Sequence, residues 1–73
     1  MVTIQVFRTS TSKPVEGAKV DIYWGFGNSH GRDGKTDATG TVHLDMEAQD
    51  GKVVINGTKV HHGRISGRHV FYI

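Results

Sequence analysis

From Val2 the chain alternates: Val2, Ile4 and Val6 are apolar, with Thr3 and Gln5 between them. A period of two marks a strand with one buried face, because successive side chains leave a sheet on opposite sides. The pattern returns over residues 18–24, where Val20, Ile22 and Trp24 share one side and Lys19, Asp21 and Tyr23 the other. It returns again at Val42, Leu44 and Met46, interleaved with His43 and Asp45. A short strand over residues 53–55 leads into Asn56-Gly57, the strongest two-residue hairpin signal in the chain. Two more strands are expected within residues 58–66 and 68–73, with turns at Gly63 and at Ser66-Gly67. The predicted core contains Ile4, Val6, Val20, Ile22, Trp24, Val42 and Leu44.

The breaks between these runs are as informative. Residues 8–17, "RTSTSKPVEG", supply hydroxyls that bond nearby backbone, a proline with fixed φ and a glycine free to take positive φ. Residues 25–35, "GFGNSHGRDGK", hold four glycines in eleven positions and no aliphatic side chain, so a mobile loop is predicted there. No helical stretch is present. Six or seven short strands at about ten-residue spacing predict an all-β fold, a small antiparallel β-sandwich. With 73 residues the chain forms one domain, 1–73. A domain of this size buries only about 60% of the surface of its unfolded chain, so binding by a surface, an edge or loops is expected in preference to a deep pocket.

Two segments carry a resemblance. "KPVEGAKVDIY" follows the first strand, and "TDATGTVHLD" follows the variable segment. Together they resemble the carboxypeptidase regulatory-like family, whose domains are transthyretin-like (prealbumin-like) β-sandwiches. Pro14, Val15, Gly17, Ala18 and Val20 match the family's P-L-x-G-A-x-V pattern; Thr36, Asp37, Gly40, Val42 and Leu44 match T-D-x-x-G-x-F-x-L. The match covers about residues 2–46 and implies a transthyretin-like or Ig-like sandwich serving as an accessory module. After Met46 the chain departs from the family's L-P-P-G-x-Y continuation, which leaves the strand order of the second half open.

The matched residues have plain physical roles. Val15 is expected to plug the sandwich edge, and Ala18 to be small where two sheets approach. Asp37 is placed to accept backbone N–H groups across the "TDATG" turn, and Gly40 to supply a positive φ. These are folding signals. The transthyretin fold also hosts a hydrolase of 5-hydroxyisourate with a C-terminal "YRGS"; this chain ends "VFYI", so that activity is not expected.

Chemistry enters through the remaining residues. No cysteine is present, which excludes disulfides and thiolate metal sites. Met1 runs into "VTIQVF" with no basic and apolar leader, and no apolar stretch approaches membrane-spanning length, so neither a signal peptide nor a membrane partner is expected. If Met1 is the natural start, a cytoplasmic location follows; for a domain excised from a longer chain the compartment stays open. Neither a catalytic triad nor a cofactor motif can be placed, and the expected function is a non-enzymatic interaction or accessory module without cofactors. Its partner would be a protein or carbohydrate surface, bound through residues 25–35 or an open sheet edge, and edge-strand pairing or a homo-oligomer fits the same reading. Within residues 25–35, Phe26 is the proposed anchor, with His30 and Arg32 as polar donors.

Two alternatives remain. Five histidines suggest a metal-binding module, with His43, His62 and His69 as ligands if the last two strands form a hairpin. His61 and His62 are adjacent on a strand and point to opposite faces. The net charge is +2, and the last acidic residue is Asp50, beyond which Lys52, Lys59, Arg64 and Arg68 give a basic end. A weak nucleic-acid binder would look like this, although no aromatic RNA-binding motif accompanies the charge.

Overall fold

The structure, a computed structural model, describes residues 1–24 and 29–73. The described residues form seven strands in two sheets and no helix. They are β1 (Val2–Phe7), β2 (Lys19–Trp24), β3 (Ser29–Lys35), β4 (Thr41–Leu44), β5 (Gln49–Ile55), β6 (Thr58–Ile65) and β7 (Arg68–Tyr72). One sheet has the order β4-β1-β7 and the other β3-β2-β5-β6. The small all-β sandwich expected from the alternation is what the chain forms.

The core lies between the sheets. Val2, Ile4 and Val6 of β1 face Val20 and Ile22 of β2, with Val42, Leu44, Val53, Ile55 and Ile65 closing around them. Ile4, Ile22, Ile55 and Ile65 are fully buried, each worth about 1.5–3 kcal/mol relative to exposure. Trp24, expected in the core, is only partly buried and packs against its rim. Met46 joins the core, as Val15 and Ala18 do between β1 and β2.

The signals in the connections act as local chemistry requires. Gly17 and Gly40 both adopt φ 76°. A side chain at Gly40 would also put its Cβ 2.4 Å from the Val6 carbonyl oxygen, so glycine is needed there twice over. Asp37 accepts the backbone N–H groups of Thr39 (2.8 Å) and Thr41 (3.1 Å). Asn56 and Gly57 take φ 50° and 84°, the two positive values a tight hairpin turn demands, and join β5 to β6.

Three expectations are corrected. Residues 25–35 are not a loop throughout, since Ser29–Lys35 is strand β3, paired antiparallel with β2. Its glycines answer to packing: a Cβ at Gly31 would lie 2.5 Å from the Trp24 ring, and one at Gly34 2.8 Å from Val42 Cγ2. Gly63 is not a turn, for β6 runs through it with φ 136°. Lastly, the sandwich is not wholly antiparallel, and β6 and β7 do not form a hairpin. At Ser66-Gly67 the chain crosses to the other sheet, the Gly67 carbonyl accepts the Thr3 N–H (2.8 Å), and β7 runs parallel to β1. Crossing gives β7 a ladder on β1 and lays His69 and Phe71 opposite Ile4 and Val6, on the inner side.

Candidate functional site

Among the described residues, four strands have an open side: β4 and β7 in one sheet, β3 and β6 in the other. Natural sheets blunt such edges with bulges, charges or shortness, because unpaired N–H and C=O groups invite another strand. On β3, one extra residue interrupts the register with β2 between Ile22 and Tyr23, and Arg32, Asp33 and Lys35 add charge. On β6, an extra residue at Val60 interrupts the register with β5, and Lys59 and Arg64 flank it. The third edge, β4, has four residues.

Strand β7 has none of these defences beyond Arg68 at its start. It pairs with β1 in unbroken register and contains no proline. Hydrogen bonds fix which way its backbone points. Ile73 N–H donates to the Phe7 carbonyl, and the Ile73 carbonyl accepts the Thr9 N–H, both at 2.8 Å. With the Thr3–Gly67 bond, this sets the alternation of a parallel ladder: residues 67, 69, 71 and 73 bond to β1. Arg68, Val70 and Tyr72 therefore present their N–H and C=O groups to the open side. Their side chains cover the outer face, where Val70 is 45% and Tyr72 59% exposed. Tyr72 stacks on Phe7 with ring centroids 5.5 Å apart, and Arg68 donates to Gln5 Oε1.

The inner side of β7 carries an aromatic cluster. His69 lies 5.0 Å from His61 of β6 and is parallel to Phe71 at 5.9 Å. His61 Nε2 donates to the Arg64 carbonyl (2.9 Å), and since a carbonyl only accepts, that nitrogen carries the proton. Ser66 N–H donates to His69 Nε2 (3.2 Å), so the neutral His69 ring is protonated on Nδ1. Burial, with the neighbouring His61 second, holds His69 below the ordinary histidine range.

The three nominated metal ligands are not brought together. His43 lies on the outer face of the β1 sheet, bonded to Thr3 Oγ1 (3.0 Å). His62 pairs with Lys52 on the outer face of the other sheet, and His69 sits between the sheets. The hairpin that would have joined His62 to His69 does not exist, so His69 meets His61 instead.

Of the three nominated contact residues, the structure places two, His30 and Arg32, and sets them apart. Phe26 lies outside the described residues. His30 and Arg32 would share a face of a regular strand, but the extra residue Gly31 sets His30 opposite Tyr23 and Arg32 opposite Ile22. Arg32, though exposed, lies on the Ile22 side of the strand, donates from Nε to the Asp45 carbonyl (2.9 Å) and covers Trp24 at 5.9 Å. It closes the seam between β3 and the end of β4. His30 stays outside, with Nε2 3.2 Å from Asp21 Oδ1.

That contact belongs to a cluster the sequence reading missed. Donor atoms of Asp21, His30 and Asp33 all lie within 4.8 Å of one another. Asp21 and Asp33 are directly opposed in the β2–β3 register, with Lys19 Nζ 4.0 Å from Asp33 Oδ2. The alternation of β2 puts Asp21 outside; nothing in the sequence reveals the irregularity that swings His30 over it. Asp37, by contrast, is occupied by its turn. The Thr39 hydroxyl, then the Thr41 and Thr39 amides, hold its carboxyl below the usual carboxylate range.

The basic end is divided. Lys52 covers the Tyr23 ring (5.3 Å) and Arg64 lies 3.8 Å from Asp50, on the β5–β6 side, while Arg68 is on the other sheet. The class these observations define is a small two-sheet β-sandwich that, among the described residues, leaves the β7 edge unguarded. No family model, no curated protein and no solved structure matches the chain.

Proposed function

We propose that the chain is a non-enzymatic β-sandwich interaction module that accepts an extended strand of a protein partner along β7. The observation that carries this reading is the β7 edge, where three residues offer unpaired backbone groups beside exposed Val70 and Tyr72. The other open edges are irregular, charged or short. A binding role in preference to catalysis is supported by the histidines nearest the edge, whose Nε2 atoms are taken up by the backbone of Arg64 in β6 and of Ser66 in the crossing to β7.

The transthyretin-like, carboxypeptidase regulatory-like assignment remains part of this proposal. It is supported by the roles of Val15, Gly17, Ala18, Asp37 and Gly40, and by the separation of β1 and β2 into different sheets. In an immunoglobulin sandwich the first two strands share a sheet, so the strand order favours the transthyretin-like expectation over the Ig-like one.

The test uses a capped peptide of residues 67–73 as the incoming strand, titrated into labelled protein at about 20 μM, well below a millimolar dissociation constant. Shifts centred on the amides of Arg68, Val70 and Tyr72 are expected. Shifts centred elsewhere, or none at millimolar peptide, would overturn the reading. A second reading, divalent metal binding, is favoured only by the Asp21–His30–Asp33 cluster. Zinc should then move the His30 ring resonances and leave those of His62 and His69 in place; unmoved His30 signals refute it.

A further inference from the structure

We infer that the strand accepted by β7 is β7 of a second copy, paired antiparallel about a twofold axis through Val70, so that two three-stranded sheets join into one. The inference rests on the strand-acceptor reading above and names its partner.

The register follows from the backbone. Strand β7 has five residues and Val70 is the middle one. In a twofold antiparallel pair the axis passes through one position, and every residue meets the one equidistant on the other side. With the axis at Val70, Val70 meets Val70 of the second copy, and Arg68 meets Tyr72 in both directions. These are the residues whose N–H and C=O groups point to the open side. Each opposed pair exchanges two bonds, so all three pairs can be hydrogen-bonded. An axis at His69 sets two histidines face to face, and one at Phe71 leaves Arg68 without an opposite residue in the strand. An axis at Arg68 opposes two guanidinium groups. Only the register about Val70 uses the whole strand.

Side-chain chemistry selects the same register. Opposed side chains in an antiparallel pair stand about 4.5–5.5 Å apart at Cβ. Arg68 then lies beside the face of Tyr72 from the second copy, a cation on an aromatic ring, and the two valines meet on the axis. On the inner side His69 meets Phe71 of the second copy, which extends the stacking already present within one chain. Both faces of the joined strands are thus apolar or aromatic, with the arginines at the ends. The contact is small, and small interfaces are weak, so association should depend on concentration.

The experiment is a charge swap on the axis. Sedimentation equilibrium of the wild-type chain from about 10 μM to about 1 mM should show a monomer–dimer equilibrium, a span corresponding to weak micromolar-to-millimolar affinity. Val70→Lys and Val70→Glu should each keep the wild-type amide fingerprint away from β7, since Val70 is exposed, and each should lose self-association at least tenfold. Mixed in equal amounts, the two variants should associate again, because only a residue opposite itself meets its own substitute. A wild-type chain that stays monomeric to 1 mM overturns the inference, as does a dimer that survives Val70→Lys. Two monomeric variants that fail to associate when mixed overturn it too, by removing the axis from Val70. If the residue 67–73 peptide still shifts the β7 amides of a chain that never dimerises, the strand-acceptor reading stands and self-pairing alone fails.

Discussion

At Thr36 one buried hydroxyl ties together two backbone groups of the segment that leads into β2. It is 4% exposed, and its hydroxyl donates to the Val15 carbonyl (2.5 Å) while accepting the Ala18 N–H (2.9 Å). Its own backbone closes the same clasp, with Thr36 N–H donating to the Ala18 carbonyl and Gly17 N–H donating to the Thr36 carbonyl. Thr36→Val keeps the shape and removes the hydroxyl, leaving the Ala18 donor and the Val15 acceptor without their partner next to the buried core. An orphaned buried group costs about 1–3 kcal/mol, so the pair should cost about 2–6 kcal/mol. A 73-residue domain has about 4–10 kcal/mol in all, so this one substitution removes a large share. Thr36→Ser retains both bonds and gives up one methyl group, about 1 kcal/mol. Urea unfolding followed by Trp24 fluorescence should show a lower midpoint at unchanged slope, with the valine variant well below the serine variant. A Thr36→Val variant within about 0.5 kcal/mol of wild type, or a serine variant as damaging as the valine one, would show that the hydroxyl does not hold this clasp.

Gly31→Ala places a Cβ 2.5 Å from the Trp24 ring, so the indole must move; a loss of about 1–3 kcal/mol and a shifted Trp24 emission are expected, and an unchanged spectrum would contradict the packing. His69 titrates below its ordinary value because charging it is opposed by burial and by His61. An unfolded histidine binds its proton first as pH falls, so stability should be full above about pH 6.5 and decline as pH drops through the lowered folded value. His69→Phe should flatten that decline, measured as urea midpoints between about pH 7.5 and 5, and an unaltered slope would assign the effect elsewhere.

The alternation at Val2–Val6, Val20–Trp24 and Val42–Leu44 determined that the chain would be a two-layer β fold, because a period of two can bury only one face of a sheet. Gly17, Asp37, Gly40 and Asn56-Gly57 were legible for a similar reason: their φ values and Asx bonds are satisfied within a few residues. Those decisions are local, and local chemistry suffices for them. What stayed hidden depends on residues far apart in the chain. The glycines of β3 read as a loop because their partners, Trp24 and Val42, become visible only after folding. One extra residue at Gly31 turned His30 and Arg32 to opposite faces, and no periodicity records such an insertion. Likewise "SGRHV" looks like a hairpin return, yet the open side of β1 took β7 in parallel and left its other edge bare. Strand pairing is settled by which edges remain free once the core has closed, and that is a property of the assembled sheets.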